Sequence, residues 1–377
     1  MNVTKKIPLA RNVTALALCG LLPATATVAE AAFAKLDGRT LQPTIEKAAD
    51  PGLELIDPGA KITPIPLPMP FPPPAPAVAV ALTSGGKTLR VIGNGAANDV
   101  TIAIDDNGAD LVHVYDGNTL LGSYTSHSMT RIQILLKGGD DTFFVGLEPG
   151  SSHKFDKKID LKLGSGNDSG FVDFRGTTSN AIVQGSLDVS VIGGSGDDEV
   201  FAHFARKHGG KLAFRCKMGS GADDCAASMW GDISGGADVS FDLGGGSGDD
   251  NLWSWNTYDQ KDGAYGDIRI TADSTFVIRM DGSTGDDQIT PTYAGETDGS
   301  LTLTVKGRGG ADSSFGIVNL AGSSAGKVKA RTFGHGGDDD LRLDVVGTSP
   351  HLSASINGGQ GSDTCQGTAN VSKTSCP

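Results

Sequence analysis

The sequence predicts an all-β protein built as a parallel β-solenoid of the β-helix or β-roll type, with a β-rich cap before the array. Three observations predict this fold. Turns of the form Gly-Gly-x-Gly-x-Asp recur, apolar and polar residues alternate on both sides of each turn, and 54 of the 377 residues are glycine. A recurring turn is typical of a stacked array, and a period of two is typical of strands with one buried face.

The turns return at a nearly constant interval. Between the aspartates that end successive turns the spacings are 27, 30, 25, 27, 37, 25, 27 and 24 residues; these aspartates are Asp141, Asp168, Asp198, Asp223, Asp250, Asp287, Asp312, Asp339 and Asp363. The unit is therefore about 26 residues long, and the interval of 37 contains an insertion. Asp99, which lies 42 residues before Asp141, is a candidate for a degenerate first copy.

The side-chain alternation indicates which face of each strand is buried. After one turn, Leu341, Leu343 and Val345 point one way, while the charged residues between them point to water. Each unit then reads as strand, Gly-Asp turn, strand and return loop. One unit cannot bury its apolar face alone, whereas stacked units share a continuous core. An antiparallel hairpin at each turn is the alternative, but the common register of glycine, acidic and apolar positions favours the solenoid.

The N-terminal residues predict export. Lys5, Lys6 and Arg11 precede a short apolar stretch and candidate cleavage sites with small residues. We therefore expect residues 1–32 to be a signal peptide, with no transmembrane segment in the mature chain because the apolar stretch is too short to span a bilayer.

Three further regions follow the signal peptide. Residues 33–78 are a mixed segment that ends in the proline-rich run ITPIPLPMPFPPPAP, which favours an extended, stiff linker. Residues 79–136 are assigned to the β-rich capping unit, and residues 137–377 to the repeat solenoid.

The composition limits the classes of function. The formal net charge is -13, which argues against nucleic acid as a partner, because phosphates require a basic surface. It suits a surface that binds cations. With the signal peptide, it indicates a secreted, extracellular or cell-surface protein, and the periplasm is an alternative location.

The best turns carry a known motif. The segments Gly193 to Phe201 and Gly245 to Trp253 match Gly-Gly-x-Gly-x-Asp-x-apolar-x at every defined position, and Gly358 to Gln366 places Cys365 in the apolar position. They resemble the RTX, or haemolysin-type calcium-binding, repeats. The resemblance covers only the turns. Members of that family usually carry the nonapeptide in tandem, whereas here one turn occurs per unit.

The resemblance implies that glycine carbonyls and aspartates bind Ca²⁺ between neighbouring coils. The implied metal-binding residues are Gly193, Gly194, Gly196, Asp198, Asp223, Gly245, Gly246, Gly248, Asp250, Asp287, Asp312, Asp339, Gly358, Gly359, Gly361 and Asp363.

The electrostatics of stacking also favour a cation. Aspartates stacked about 4.8 Å apart repel each other by roughly 1 to 3.5 kcal/mol, and Ca²⁺ prefers a shell of several oxygen ligands. The alternative is that glycine supplies the backbone conformation and aspartate caps its own turn, without a metal.

The cysteines and tryptophans add two predictions. Cys216 and Cys225 flank one turn, and a disulfide between them would link that coil, with buried thiols as the alternative. A Cys365–Cys376 disulfide would hold the last coil. Trp253 and Trp255 share an outward face, where they could stack on a sugar, pack on a protein partner or lie under their own loop.

We expect a structural or binding role, in adhesion or a matrix, without catalysis and without an organic cofactor. No catalytic triad stands out, and paired acids recur in most units rather than at one site. His335 resembles a fragment of a polygalacturonase signature but occupies a glycine position of the repeat. The alternative is a polysaccharide-active β-helix enzyme, or a carbohydrate-binding module that uses the Trp253/Trp255 face. Candidate partners besides calcium are a cell-surface polysaccharide or a protein.

Overall fold

The computed structural model describes residues 77–106, 109–148, 151–175, 182–256, 268–322 and 324–376. Within these ranges the chain forms strands and turns and no helix. In chain order the strands are β1 (Ala79–Thr83), β2 (Thr88–Ile92), β3 (Asp99–Asp105), β4 (Leu111–Asp116), β5 (Thr119–Thr125), β6 (Arg131–Gly138), β7 (Thr142–Leu147), β8 (Lys157–Ser165), β9 (Ser169–Phe174), β10 (Ile182–Val183), β11 (Leu187–Ser195), β12 (Glu199–His208), β13 (Lys211–Ser220), β14 (Asp224–Ser234), β15 (Asp238–Ser247), β16 (Asn251–Asn256), β17 (Ile268–Ile270), β18 (Thr275–Thr284), β19 (Gln288–Thr297), β20 (Ser300–Gly309), β21 (Ser313–Leu320), β22 (Lys327–Gly336), β23 (Asp340–Val346), β24 (His351–Gln360), β25 (Thr364–Gly367) and β26 (Val371–Thr374).

The strands form two sheets whose neighbours come from successive coils. Sheet A has the order β1-β2-β6-β8-β11-β13-β15-β18-β20-β22-β24-β26, and sheet B has the order β25-β23-β21-β19-β16-β14-β12-β9-β7-β3-β4-β5. Two short strands lie beside this order in sheet B: β10 pairs with β12, and β17 pairs with β14 and β19. The strands on either side of a Gly-Asp turn lie in different sheets, as β22 and β23 do, and coil-to-coil pairing is parallel. The predicted parallel β-solenoid is confirmed, and the hairpin alternative is wrong.

One hydrophobic core runs between the two sheets. Leu341, Leu343 and Val345 are buried as the alternation predicts, while Arg342 points out. Equivalent positions stack in register; Val189, for example, pairs with Ile159 on one side and Phe214 on the other. Stacking like on like gives each coil the apolar cover and the backbone partners that it lacks alone.

The N-terminal end carries the predicted β-rich cap. Strand β1 pairs antiparallel with β2, and β3, β4 and β5 form an antiparallel meander. Strands β2 and β3 themselves pair in parallel with β6 and β7, so the cap continues the stack. The chain thus turns antiparallel where the array begins, which covers exposed strand edges.

None of the described residues forms a helix long and apolar enough to span a membrane.

Candidate metal centre along the Gly-Asp edge

The predicted aspartates lie in one continuous row, which we call the inner row: Asp141, Asp168, Asp198, Asp223, Asp250, Asp287, Asp312, Asp339 and Asp363. The Oδ1 atom of each accepts a hydrogen bond from the backbone N–H at the equivalent position of the preceding coil, at 2.7 to 3.1 Å. At the N-terminal end this donor is Asn98, so the first copy of the anchor is Asn98 and the assignment to Asp99 is wrong by one residue. The carboxylates therefore join coils rather than cap their own turns.

The second carboxylate oxygen of every inner-row aspartate is buried without a partner. Each Oδ2 atom is inaccessible to solvent and makes no hydrogen bond with the described residues. The side chains are at most 3% exposed. A buried carboxylate oxygen without a donor or a cation is costly. The row thus presents nine unsatisfied, negatively polarised oxygens in a line.

The first glycine of the motif makes room for this oxygen. A Cβ atom built on Gly245 would lie 2.1 Å from Asp250 Oδ2, and one on Gly193 would lie 2.4 Å from Asp198 Oδ2. The carbonyl oxygen of the following coil also approaches here, since the same Cβ on Gly193 would lie 2.5 Å from the Met218 carbonyl oxygen. The glycine therefore opens a small oxygen-lined space beside the carboxylate.

The glycine at the fourth position of the motif is required by the backbone. Gly248 has a φ of +127°, and a Cβ there would lie 1.7 Å from the carbonyl oxygen of Gly221 in the neighbouring coil. The second position is more tolerant. Ser283, Arg308 and His335 occupy it with φ of 80 to 85°, the left-handed region that glycine enters most easily.

Burial raises the pKa of most inner-row carboxyl groups. It raises the pKa of Asp198 and of Asp250 to about 7, and that of Asp168 and of Asp312 to about 6. The hydrogen bond from the preceding coil lowers each pKa, while neighbouring carboxylates raise it further. Near neutral pH, part of the row is therefore held close to the point where a proton or a cation must neutralise it.

A second row, of aspartate and asparagine side chains, lies one residue before the first and is exposed. This outer row contains Asp140, Asn167, Asp197, Asp249, Asp286 and Asp338. Each accepts a hydrogen bond from the backbone N–H of the following coil, at 2.7 to 3.0 Å. The two rows thus hydrogen bond in opposite directions along the solenoid, which satisfies successive N–H groups of the turns.

The donor set of this edge suits Ca²⁺. It consists of carboxylate and carbonyl oxygens, which hard cations prefer, and the unpartnered Oδ2 atoms supply negative charge. Within the described residues, no three His, Cys, Asp or Glu side chains converge on one point. An ion here would therefore need backbone carbonyls and water to complete its shell, as Ca²⁺ sites commonly do.

Both predicted disulfides are present. Cys216 is paired with Cys225 across one Gly-Asp turn, and both residues are fully buried between the sheets. Cys365 is paired with Cys376 at the last coil. The thiol alternative for Cys216 and Cys225 is wrong, and the pairs suit an oxidising compartment.

The Trp253/Trp255 face is an aromatic cluster on the outside of sheet B. The ring of Trp253 lies 5.7 Å from that of Phe201, and the ring of Trp255 lies 5.8 Å from that of His203. These rings cover the small residue between them on β14, so Ser228 is fully buried although it lies on the outer face.

The cluster extends beyond the two tryptophans. Phe171 stacks on Phe201 at 5.4 Å and is 36% exposed, and the Arg175 guanidinium lies 4.8 Å from the centre of the Trp230 ring. The indoles are therefore half-buried by packing along the face. Tyr258 and Tyr265 of the insertion lie outside the described residues.

The strongest cluster of catalytic residue types is sealed inside the N-terminal end. Asp106 accepts a hydrogen bond from Ser126 and lies 3.5 Å from His153 Nδ1 and 3.9 Å from Lys157 Nζ. The Asp106, His153 and Lys157 side chains have no exposed surface. Burial alone would raise the pKa of Asp106, but His153, Lys157 and Ser126 hold it below its ordinary value. This network is suited to linking the cap to the first coils, not to reaching a substrate.

Sequence reasoning missed this network and a second buried cation. The Nζ atom of Lys207 donates to the carbonyl oxygens of Val183, Gln184 and Gly185 at 2.7 to 3.1 Å. Burial lowers the pKa of Lys207 to about 8. The only available signal was its place in the alternation of β12, where a lysine occupies an inward position.

Comparison with models of known protein families, with curated proteins and with solved structures finds no match.

Proposed function

We propose that the chain is a secreted or surface-exposed calcium-binding β-solenoid with a structural and binding role, in adhesion or a matrix, and without catalysis. One observation carries the proposal: every aspartate of the inner row buries a carboxylate oxygen that has no hydrogen-bond donor among the described residues. Such oxygens, repeated at the coil spacing, favour neutralisation by a cation.

The inner-row carboxylates and the carbonyl oxygens of the turns would hold the ion. Bound Ca²⁺ would supply charge neutralisation and crosslinking between coils. Because the folded chain would bind calcium and the unfolded chain would not, stability would rise with the calcium concentration. Outside a cell, where calcium is abundant, the scaffold would be rigid.

Calcium binding to the full chain by equilibrium dialysis tests this proposal. The test variant is Asp198→Asn/Asp250→Asn/Asp312→Asn, which removes three inner-row charges. The matched control is Asp188→Asn/Asp242→Asn/Asp281→Asn, which removes three salt-bridged charges from the outer face of sheet A.

We expect saturable Ca²⁺ binding that excess Mg²⁺ does not displace, reduced in the test variant and retained in the control. Equal binding by both variants, or no binding by the unmodified chain, would refute the proposal.

A second candidate function, carbohydrate recognition or cleavage, is favoured by the aromatic cluster on sheet B. Phe171, Phe201 and Trp253 present ring surface on β9, β12 and β16, with Ala226 of β14 between the last two, and such surfaces stack on sugar rings. Loss of polysaccharide binding in Trp253→Ala, or release of reducing sugars by the unmodified chain, would support it. Unchanged binding in that variant and no sugar release would exclude it.

A further inference from the structure

The outer face of sheet A changes character along the solenoid. From β6 to β20 each arginine of this face is paired with an acid of a neighbouring strand, whereas exposed lysines such as Lys162 and Lys217 form no ion pair with the described residues. Arg131 contacts Asp160, Arg215 contacts Asp188, Arg279 contacts Asp242 and Arg308 contacts Asp281. Acids on β8, β11, β15 and β18 thus offset part of the positive charge on that part of the face.

The last four strands of the sheet break the pattern. Strands β20, β22, β24 and β26 are neighbours in sheet A and contain no aspartate or glutamate. On β22, Lys327, Lys329 and Arg331 project from the same face at every second residue. None of the three has a carboxylate within ion-pair distance among the described residues. A chain of net charge -13 thus carries an uncompensated basic strip.

The surroundings of this strip are polar and suited to sugar rather than to lipid. Thr302 on β20 and Ser353 on β24 flank Lys329, and Thr304 and Ser355 flank Arg331. Further along β22, Phe333 projects from the same face and stacks with His335 at 5.8 Å. The strip therefore combines cations at intervals of about 6.6 Å with rows of hydroxyl groups and one half-buried aromatic ring.

We propose that the β20–β24 strip, centred on Lys327, Lys329 and Arg331, binds a linear anionic polysaccharide. The cations would pair with its carboxylate or sulfate groups, the serine and threonine hydroxyls would hydrogen bond to the sugar hydroxyls, and Phe333 would pack on a sugar face. Duplex DNA suits the site poorly, because the acidic turn edge borders the strip and would repel a second line of phosphates.

The inference names a ligand class for the binding role proposed above, but it does not depend on calcium. Binding of the full chain to immobilised hyaluronate, chondroitin sulfate, dextran and duplex DNA tests it, at low ionic strength and with millimolar Ca²⁺ in every buffer. Calcium is then present whether or not the chain binds it, so failure here leaves the calcium proposal standing.

Two triple variants with equal loss of charge give the comparison. The test variant is Lys327→Gln/Lys329→Gln/Arg331→Gln. The control, Arg131→Gln/Arg215→Gln/Arg279→Gln, removes three cations from the same face where acids compensate them. Circular dichroism verifies that both remain folded.

We expect binding to hyaluronate or chondroitin sulfate but not to dextran, weakened roughly tenfold or more in the test variant and less than about threefold in the control. Phe333→Ala should weaken binding without changing its salt dependence. No binding by the unmodified chain, equal losses in the two triple variants, or DNA binding as tight as polysaccharide binding would overturn the proposal. Binding to the sulfated chain alone would support it and identify sulfate as the recognised group.

Discussion

The two edges of the solenoid satisfy the backbone hydrogen-bonding groups of their turns in different ways. At the Gly-Asp edge, every coil uses one hydrogen-bond scheme, in which aspartate Oδ1 atoms receive the N–H groups of adjacent coils. At the return edge the schemes of two described coils differ. Lys207 donates to three carbonyl groups in one coil; in another, the Tyr293 hydroxyl donates to the Glu296 carbonyl oxygen and shares a hydrogen bond with the Thr297 hydroxyl. The hydrogen-bond scheme repeats at the Gly-Asp edge because the direction and spacing of the chain there are the same in every coil.

The largest loss of stability is expected from a substitution at the tightest contact of the Gly-Asp edge. Gly248→Ala would force a Cβ to within 1.7 Å of the Gly221 carbonyl oxygen at a φ of +127°. We expect the free energy of unfolding to fall by about 3 kcal/mol or more. Chemical denaturation measures it. Gly244→Ala is the control, because a Cβ there meets nothing closer than 3.8 Å. Similar losses in both variants would show that the tight turn is not what the glycine provides.

An intermediate effect is expected at the return edge. Lys207→Met keeps most of the side-chain volume but leaves the carbonyl oxygens of Val183, Gln184 and Gly185 without this donor. We expect a loss of about 2 to 3 kcal/mol in the free energy of unfolding. Lys211→Met, on the exposed surface of the next strand, should change it by less than about 0.5 kcal/mol. A neutral Lys207→Met would mean that the return edge does not depend on this cation.

A smaller effect concerns pH in the absence of calcium. Burial raises the pKa of Asp198 and Asp250 to about 7, well above the ordinary value of an aspartate. The folded state therefore binds protons more tightly than the unfolded state. Its stability is greatest at low pH and is lost as the pH rises through about 7. In EDTA, the unfolding temperature should fall between about pH 4 and pH 7 and then level off.

Asp250→Asn sharpens that test, because it removes the charge and keeps the Oδ1 acceptor. Asn98 occupies the equivalent position in the first coil and donates from Nδ2 to the Ala96 carbonyl oxygen at 2.6 Å. The variant should therefore be more stable than the unmodified chain at about pH 8 and should show a flatter pH profile. A profile that rises with pH in both proteins would contradict the inward, desolvated placement of the row.

Several features could be predicted from the sequence because stacking constrains them. The β-solenoid, both disulfides, the shared outward face of Trp253 and Trp255, and the alignment of His335 with a glycine position are all confirmed. Each depends on position within a period. The period determines which residues meet across coils.

Other features were not predictable because they depend on particular loops. The motif singled out Asp250 rather than Asp249, but it did not show that the Asp250 carboxylate hydrogen bonds to the preceding coil instead of capping its own turn. The Asp106 network joins residues far apart in the chain. The basic strip on β22 depends on which strands lie beside β22 in sheet A, because its neighbours β20 and β24 lack acids. The calcium assignment remains a prediction.

Thermal unfolding of the full chain in EDTA, in millimolar Ca²⁺ and in millimolar Mg²⁺, at neutral pH, tests the central claim most directly. If calcium neutralises the inner-row carboxylates, the unfolding temperature should rise strongly with Ca²⁺ and little with Mg²⁺. That rise should be lost in Asp198→Asn/Asp250→Asn/Asp312→Asn. Equal unfolding temperatures in all three buffers would contradict the claim and would leave the aspartates as hydrogen-bond acceptors that join the coils.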